Sequence, residues 1–166
     1  MVKMKWVVLA VLAVVTSIAN SACFLQTEEK KVKKQFRHLS EWASKERGET
    51  PITMAQRAQK IGTLFLDPCE FKTHIEPFSE ALTPDEISSY AMRGRSLFTV
   101  LDLVFYDMKI DLSEERVAKV TVTVKATGRL KDGENIKEIH ELECLLKKNE
   151  GGWLFSRFEV VEVLKR

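Results

Sequence analysis

Apolar positions along the chain change their spacing near residue 97. Before it they recur every three or four residues, as on one face of a helix, and after it every second residue, as on one face of a strand. The spacing predicts a first helix over Thr27–Arg47 with Val32, Phe36, Leu39 and Ala43 on its buried stripe, and Gly48 as its stop. A second helix starts at Thr50-Pro51 or at Thr53 and buries Met54, Ala58, Ile61 and Phe65. Asp67-Pro68 ends it, because proline disfavours helical geometry in the residue before it. Cys69–Leu82 is irregular and reads as a connecting segment. Thr83-Pro84-Asp85-Glu86 combines a cap, a proline at the first helical position and a capping-box glutamate, and so opens a third helix to about Leu97. Its buried positions are predicted as Ile87, Tyr90, Ala91, Gly94 and Leu97, with Gly94 placed against a sheet.

Phe98–Leu112 reads as the first strand. Leu101, Leu103 and Phe105 share one parity, whereas Met108, Ile110 and Leu112 share the other, which predicts a bulge at Tyr106-Asp107. Val117–Thr127 alternates cleanly, with Val120, Val122, Val124 and Ala126 inward. Asp132-Gly133 centres a hairpin loop into Ile136–Lys148, where His140, Leu142, Cys144 and Leu146 share a face. A turn at Asn149–Gly152 leads to Trp153–Leu164, whose parity is mixed. The expected fold class is α+β: three N-terminal helices packed on a curved antiparallel sheet of about four long strands.

The first 22 residues have a different pattern. Met1–Lys5 is basic, Trp6–Val15 is an unbroken apolar run, and Thr16, Ser17, Ala19, Ser21 and Ala22 are small. This is the layout of a secretory signal peptide over 1–22, ahead of a domain over 23–166. Cys23 after Ser21-Ala22 resembles the bacterial lipobox, with Asn20 standing where that pattern has leucine or a similar residue. The resemblance implies lipidation of Cys23. Ordinary cleavage after Ser21 or Ala22, or an uncleaved anchor, are the other readings. Lys30, Lys31, Lys33, Lys34 and Arg37 follow closely, and such positive charge opposes translocation. Lipidation of Cys23 would leave Cys69 and Cys144, either as a candidate disulfide in an oxidising periplasm or as two buried thiols.

Composition narrows the function classes. The chain of 166 residues is 45% hydrophobic and 30% charged, which suits one globular domain. Of its 26 basic residues, Lys3 and Lys5 lie in the leader, so the remainder matches the 24 acidic residues. A neutral domain offers no global argument for nucleic acid. His38, His74 and His140 are far apart and no metal-ligand spacing or glycine-rich phosphate loop occurs, so neither metal nor cofactor is expected.

The capped helix from Thr83, the join at Ser96-Leu97-Phe98, and the strand pair Leu101–Leu112 and Val117–Thr127 resemble the nuclear transport factor 2-like superfamily, the cystatin-like cone. The resemblance covers roughly residues 27–165. It implies lyases, isomerases, cyclases or non-enzymatic binding and assembly domains, so the fold leaves function open. Enzymes of that superfamily carry acid or base groups inside the cone. Here the inward positions are apolar, with Tyr90 and His140 the polar cavity-lining candidates. Asp102 has outward parity, and Arg157 and Glu159 suit a surface pair. The expectation is therefore an exported, non-catalytic module in the periplasm, held to a membrane by a lipid anchor. It would take a small apolar ligand or a protein partner and could form a homodimer through the sheet. A proton-transfer lyase or isomerase, and an envelope assembly subunit with a retained anchor, are the alternatives.

Overall fold

A computed structural model describes residues 26–73 and 78–163. The leader, Cys23 and His74 lie outside the described residues. Helix α1 spans 26–43, and α2 spans Pro51–Gly62. Two strands follow, β1 (Phe65–Thr73) and β2 (Phe78–Leu82), and then α3 (Pro84–Ser96). The long strands are β3 (Phe98–Asp111), β4 (Val117–Leu130), β5 (Asn135–Asn149) and β6 (Gly152–Val163). Among the described residues the sheet has six strands in the order β2-β1-β6-β5-β4-β3.

The helix starts follow their caps. Thr50 accepts from the Thr53 amide at 3.2 Å with Pro51 behind it. Thr83 and Glu86 form the full capping box, the Thr83 amide donating to Glu86 at 2.8 Å. These amides have no partner inside the helix, so the side chains supply one. Helix α1 ends at 43, short of the expected Arg47, because Lys45 leaves the helix to exchange backbone hydrogen bonds with Leu101 of β3, at 2.7 and 3.0 Å.

Two corrections concern Phe65–Leu82. This segment forms two strands and not a helix end and a linker, so the sheet is mixed: β1 runs parallel to β6 and antiparallel to β2. Pro68 does not end a helix. It follows a cis peptide inside the register break between Phe65 and Glu70, where β1 loses its regular ladder to β6. A proline, which has no amide hydrogen, is tolerated at such a break. In consequence α3 follows two strands instead of closing an N-terminal helical block.

The bulge in β3 is where parity flips. Its register to β4 shifts between Tyr106 and Lys109, and Asp107 has φ +52°. The extra residue bends the strand and curves the sheet. Against the curved face pack the stripe of α1, Val32, Phe36 and Leu39, and the inward rows Val120, Val122, Leu142 and Leu146. Phe36 sits edge-on to Phe105 and Phe155, at 5.3 and 5.0 Å between centroids. Burying each such ring contributes roughly 1.5–3 kcal/mol.

In α3, Ile87 is buried, but Tyr90 and Leu97 are 52% and 60% exposed, and nothing approaches the Gly94 Cα face within 4 Å. The close approach is at Gly62, where an added Cβ would lie 2.5 Å from the Pro84 carbonyl oxygen. Glycine is required where α2 crosses α3, not where α3 meets the sheet.

Candidate functional site

The end of the cone away from the start of α1 is hollow. A cavity of about 660 Å³ lies between the three helices and the sheet, and each of the six strands contributes to its wall. That volume is in the usual range for a small-molecule site, about 300–1,000 Å³. One side is aromatic: Phe71 stacks on Phe158 at 5.9 Å, and Phe65 lies 5.7 Å from Phe71. The facing side is aliphatic and aromatic, with Leu39 of α1, Ile87 and Ala91 of α3, and Leu103 and Phe105 of β3. Tyr90 and His140 are the polar side chains in the lining.

Tyr90 stands at the rim, half exposed, one turn after Ile87 on α3. The Arg93 guanidinium lies 5.8 Å from its ring centroid. His140 faces Val124 across β4, so the pattern that buries Val124 also turns the imidazole inward. Its Nε2 is 3.0 Å from Glu138 Oε2. A carboxylate only accepts, so Nε2 is the donor of this contact. Nδ1 is buried and has no hydrogen-bond partner among the described residues.

Glu138 was not among the residues singled out from sequence. It lies two positions before His140 and so shares its face, and this strand parity was the signal available for it. The apolar wall was also only partly legible. Val120 and Leu146 belong to the closed core around α1, while Phe65, Phe71, Phe158 and Val160 line the cavity. The first two come from the strand the sequence does not reveal, and the last two from the strand of mixed parity.

The remaining candidates lie elsewhere. Asp102 is exposed on the convex face, opposite Thr127. Arg157 pairs with Glu70 of β1 at 2.9 Å. Cys69 and Cys144 are free and buried, not joined as the candidate disulfide. Their strands, β1 and β5, flank β6, so two strand spacings, roughly 9–10 Å, separate them. That exceeds the separation of about 7 Å that a disulfide can span. Burial, with the Glu70 charge, pushes the Cys69 thiol up to about 12, and burial pushes Cys144 well up too. Neither supplies a thiolate nucleophile. No group of acidic, histidine and cysteine side chains among the described residues could hold a metal ion.

No family model and no curated protein matches the chain. Solved structures do. A nuclear transport factor 2-like protein with a cystatin-like fold from Novosphingobium aromaticivorans superposes with a TM-score of 0.66, at 9% identity over 86% of each chain. The fold is the cystatin-like cone. A candidate scytalone dehydratase from the same organism gives a TM-score of 0.63 at 18% identity, over 84% of this chain and 86% of that one. The hexachlorocyclohexane dehydrochlorinase LinA-type3 of Novosphingobium barchaimii gives 0.64 at 9% identity, over 84% and 88%. At these identities the likeness establishes the cone alone.

Proposed function

We propose that this cone binds a small, largely apolar molecule without transforming it. The carrying observation is the lining: a cavity of about 660 Å³ whose wall, among the described residues, is apolar except for Tyr90 and His140. An apolar wall favours a ligand through burial, and two polar groups at the margin orient it. No carboxylate among the described residues lines the cavity, and Glu138 beside it is largely exposed. That one of the similar structures dehydrochlorinates hexachlorocyclohexane supports an apolar occupant. The test is titration with the neutral probe N-phenyl-1-naphthylamine. Saturable fluorescence enhancement is expected for the wild type and loss of it for Ala91→Trp, which fills the cavity from its α3 wall. Equal enhancement in both proteins would place the probe elsewhere and defeat the reading.

A second reading rests on the His140–Glu138 pair. An imidazole oriented by a carboxylate, with its unpartnered Nδ1 at an apolar cavity, is the constellation of a general base. On this reading the chain is a small lyase that abstracts a proton from the bound molecule. Turnover of a halogenated or hydroxylated alicyclic compound, abolished in His140→Phe, would displace the binding reading.

The leader leads us to place the protein in the periplasm, lipidated at Cys23. Mass spectrometry of the mature N-terminus tests this: a diacylglyceryl Cys23 supports it, and an intact Met1 excludes it.

A further inference from the structure

Helix α1 carries two opposed stripes. Val32, Phe36 and Leu39 are buried on one. Lys30, Lys34 and Arg37 are exposed and lie roughly 160° around the helix from that stripe, at spacings of four and three. The neighbouring lysines are neutralised within the helix: Lys31 pairs with Glu28 at 2.8 Å and Lys33 with Glu29 at 2.5 Å. Lys30, Lys34 and Arg37 make no ion pair among the described residues, and no acidic side chain enters their face before Glu41, one turn beyond Arg37.

A domain of balanced charge therefore presents one face of unneutralised cations. Its position in the chain selects the partner. No charged residue occurs between Lys5 and Glu28, and Trp6–Val15 is continuously apolar. On the reading proposed above, a lipid on Cys23, seven residues before Lys30, would hold the start of α1 at a bilayer. We propose that the Lys30–Lys34–Arg37 face of α1 lies on an anionic phospholipid surface, with the convex face of the sheet turned away. Each such cation near an anionic surface strengthens association roughly fivefold, and salt removes the effect. The aliphatic stems of the lysines and arginine reach across the headgroup layer while the charge stays in it.

The experiment is lysine acetylation footprinting of the full chain with vesicles of phosphatidylcholine alone and of phosphatidylcholine with phosphatidylglycerol. Lys109, exposed on the row of Thr121 and so on the convex face, is the internal reference. Labelling of Lys30 and Lys34 relative to Lys109 is expected to fall at least about threefold on the anionic vesicles and to recover in 0.5 M salt. In Lys34→Glu/Arg37→Glu, two exposed changes that leave the core intact, protection of Lys30 is expected to disappear. Equal labelling on both vesicles overturns the proposal and leaves the stripe as a solvated face. Protection that persists in the variant assigns it to the N-terminal anchor and overturns the proposal equally.

Discussion

Lys45 and Arg95 cap each other's helices. Arg95 Nη1, from the last turn of α3, donates to the carbonyls of Trp42, Ala43 and Ser44 at the end of α1, the latter two at 2.9 and 2.6 Å. Lys45 Nζ, just past α1, donates to the Arg95 carbonyl at 3.1 Å and to Phe98 at 2.7 Å. The last carbonyls of a helix have no partner within it and carry the negative end of its dipole, so a buried cation answers both needs. Glu49 supplies the counter-charge to Arg95 and also faces Arg57 at 3.2 Å. Burial pushes the Lys45 ammonium below its ordinary value, and the Lys131 charge adds to this.

Arg95→Met removes the cap of α1 and leaves the almost fully buried Glu49 carboxylate with Arg57 as its remaining cation among the described residues. Breaking a buried ion pair from one side costs up to about 3–5 kcal/mol, of which Arg57 offsets a part. Urea denaturation is expected to show it. Arg95→Met/Glu49→Met should cost less than Arg95→Met alone, because no buried charge is left unpaired. An additive double variant would show that the ion pair is not coupled.

Glycine substitutions in the helices are expected to have opposite signs. Gly62→Ala pushes a methyl group into the Pro84 carbonyl and should cost about 1–3 kcal/mol. Gly94→Ala meets open space and should gain about 0.8–1 kcal/mol from helix propensity. Thermal melts of the two variants check the pair, and a Gly62→Ala protein as stable as wild type would contradict the packing of α2 on α3.

Acid should weaken the end of the cone around Glu28. This carboxylate is buried at the start of α1 and accepts from Trp153 Nε1 and Lys148, both at 2.8 Å. Burial works to raise its pKa, but the hydrogen bonds from Lys148, Lys31 and Trp153 outweigh it and hold the group at about 2, against 4.5 when unfolded. A depressed pKa stabilises the fold above the unfolded value. That contribution is present above pH 4.5 and fades as pH falls through 2. Glu28→Gln is therefore expected to be less stable than wild type at pH 7, with the gap closing between pH 4.5 and 2. A gap independent of pH would exclude the ionised carboxylate as its source.

Cys69 and Cys144 should resist alkylation by iodoacetamide in the native protein and react fully in guanidinium, because both thiols are buried and their ionisation is suppressed. Peptide mapping gives the result. Rapid native alkylation would contradict their burial, and a peptide linking the two cysteines would contradict the strand order that puts β6 between them.

Where local chemistry decided the outcome, the residues announced it. The box at Thr83-Pro84-Asp85-Glu86 starts α3, the parity flip at Tyr106-Asp107 is the bulge in β3, and the alternation of Val120, Val122 and Val124 is the buried face of β4. Each signal is contained within a few residues, so a single sequence carries it. Two of the cavity's residues, Tyr90 and His140, were legible for the same reason: each follows its own element's period.

What the sequence could not show was decided by distant partners. Phe65–Thr73 is a strand because β6, some ninety residues later, offers it a parallel edge, and Pro68 is tolerated only because that ladder breaks there. Arg95 is buried because the carbonyls of Trp42, Ala43 and Ser44 at the end of α1 and the Glu49 carboxylate converge on it. By itself the sequence determined the helix starts, the bend and the apolar rows, since these follow from backbone geometry and side-chain period. Only the tertiary structure decided β1 and β2, the aromatic wall and the buried charges, since hydrogen-bond partners and burial are properties of the closed cone.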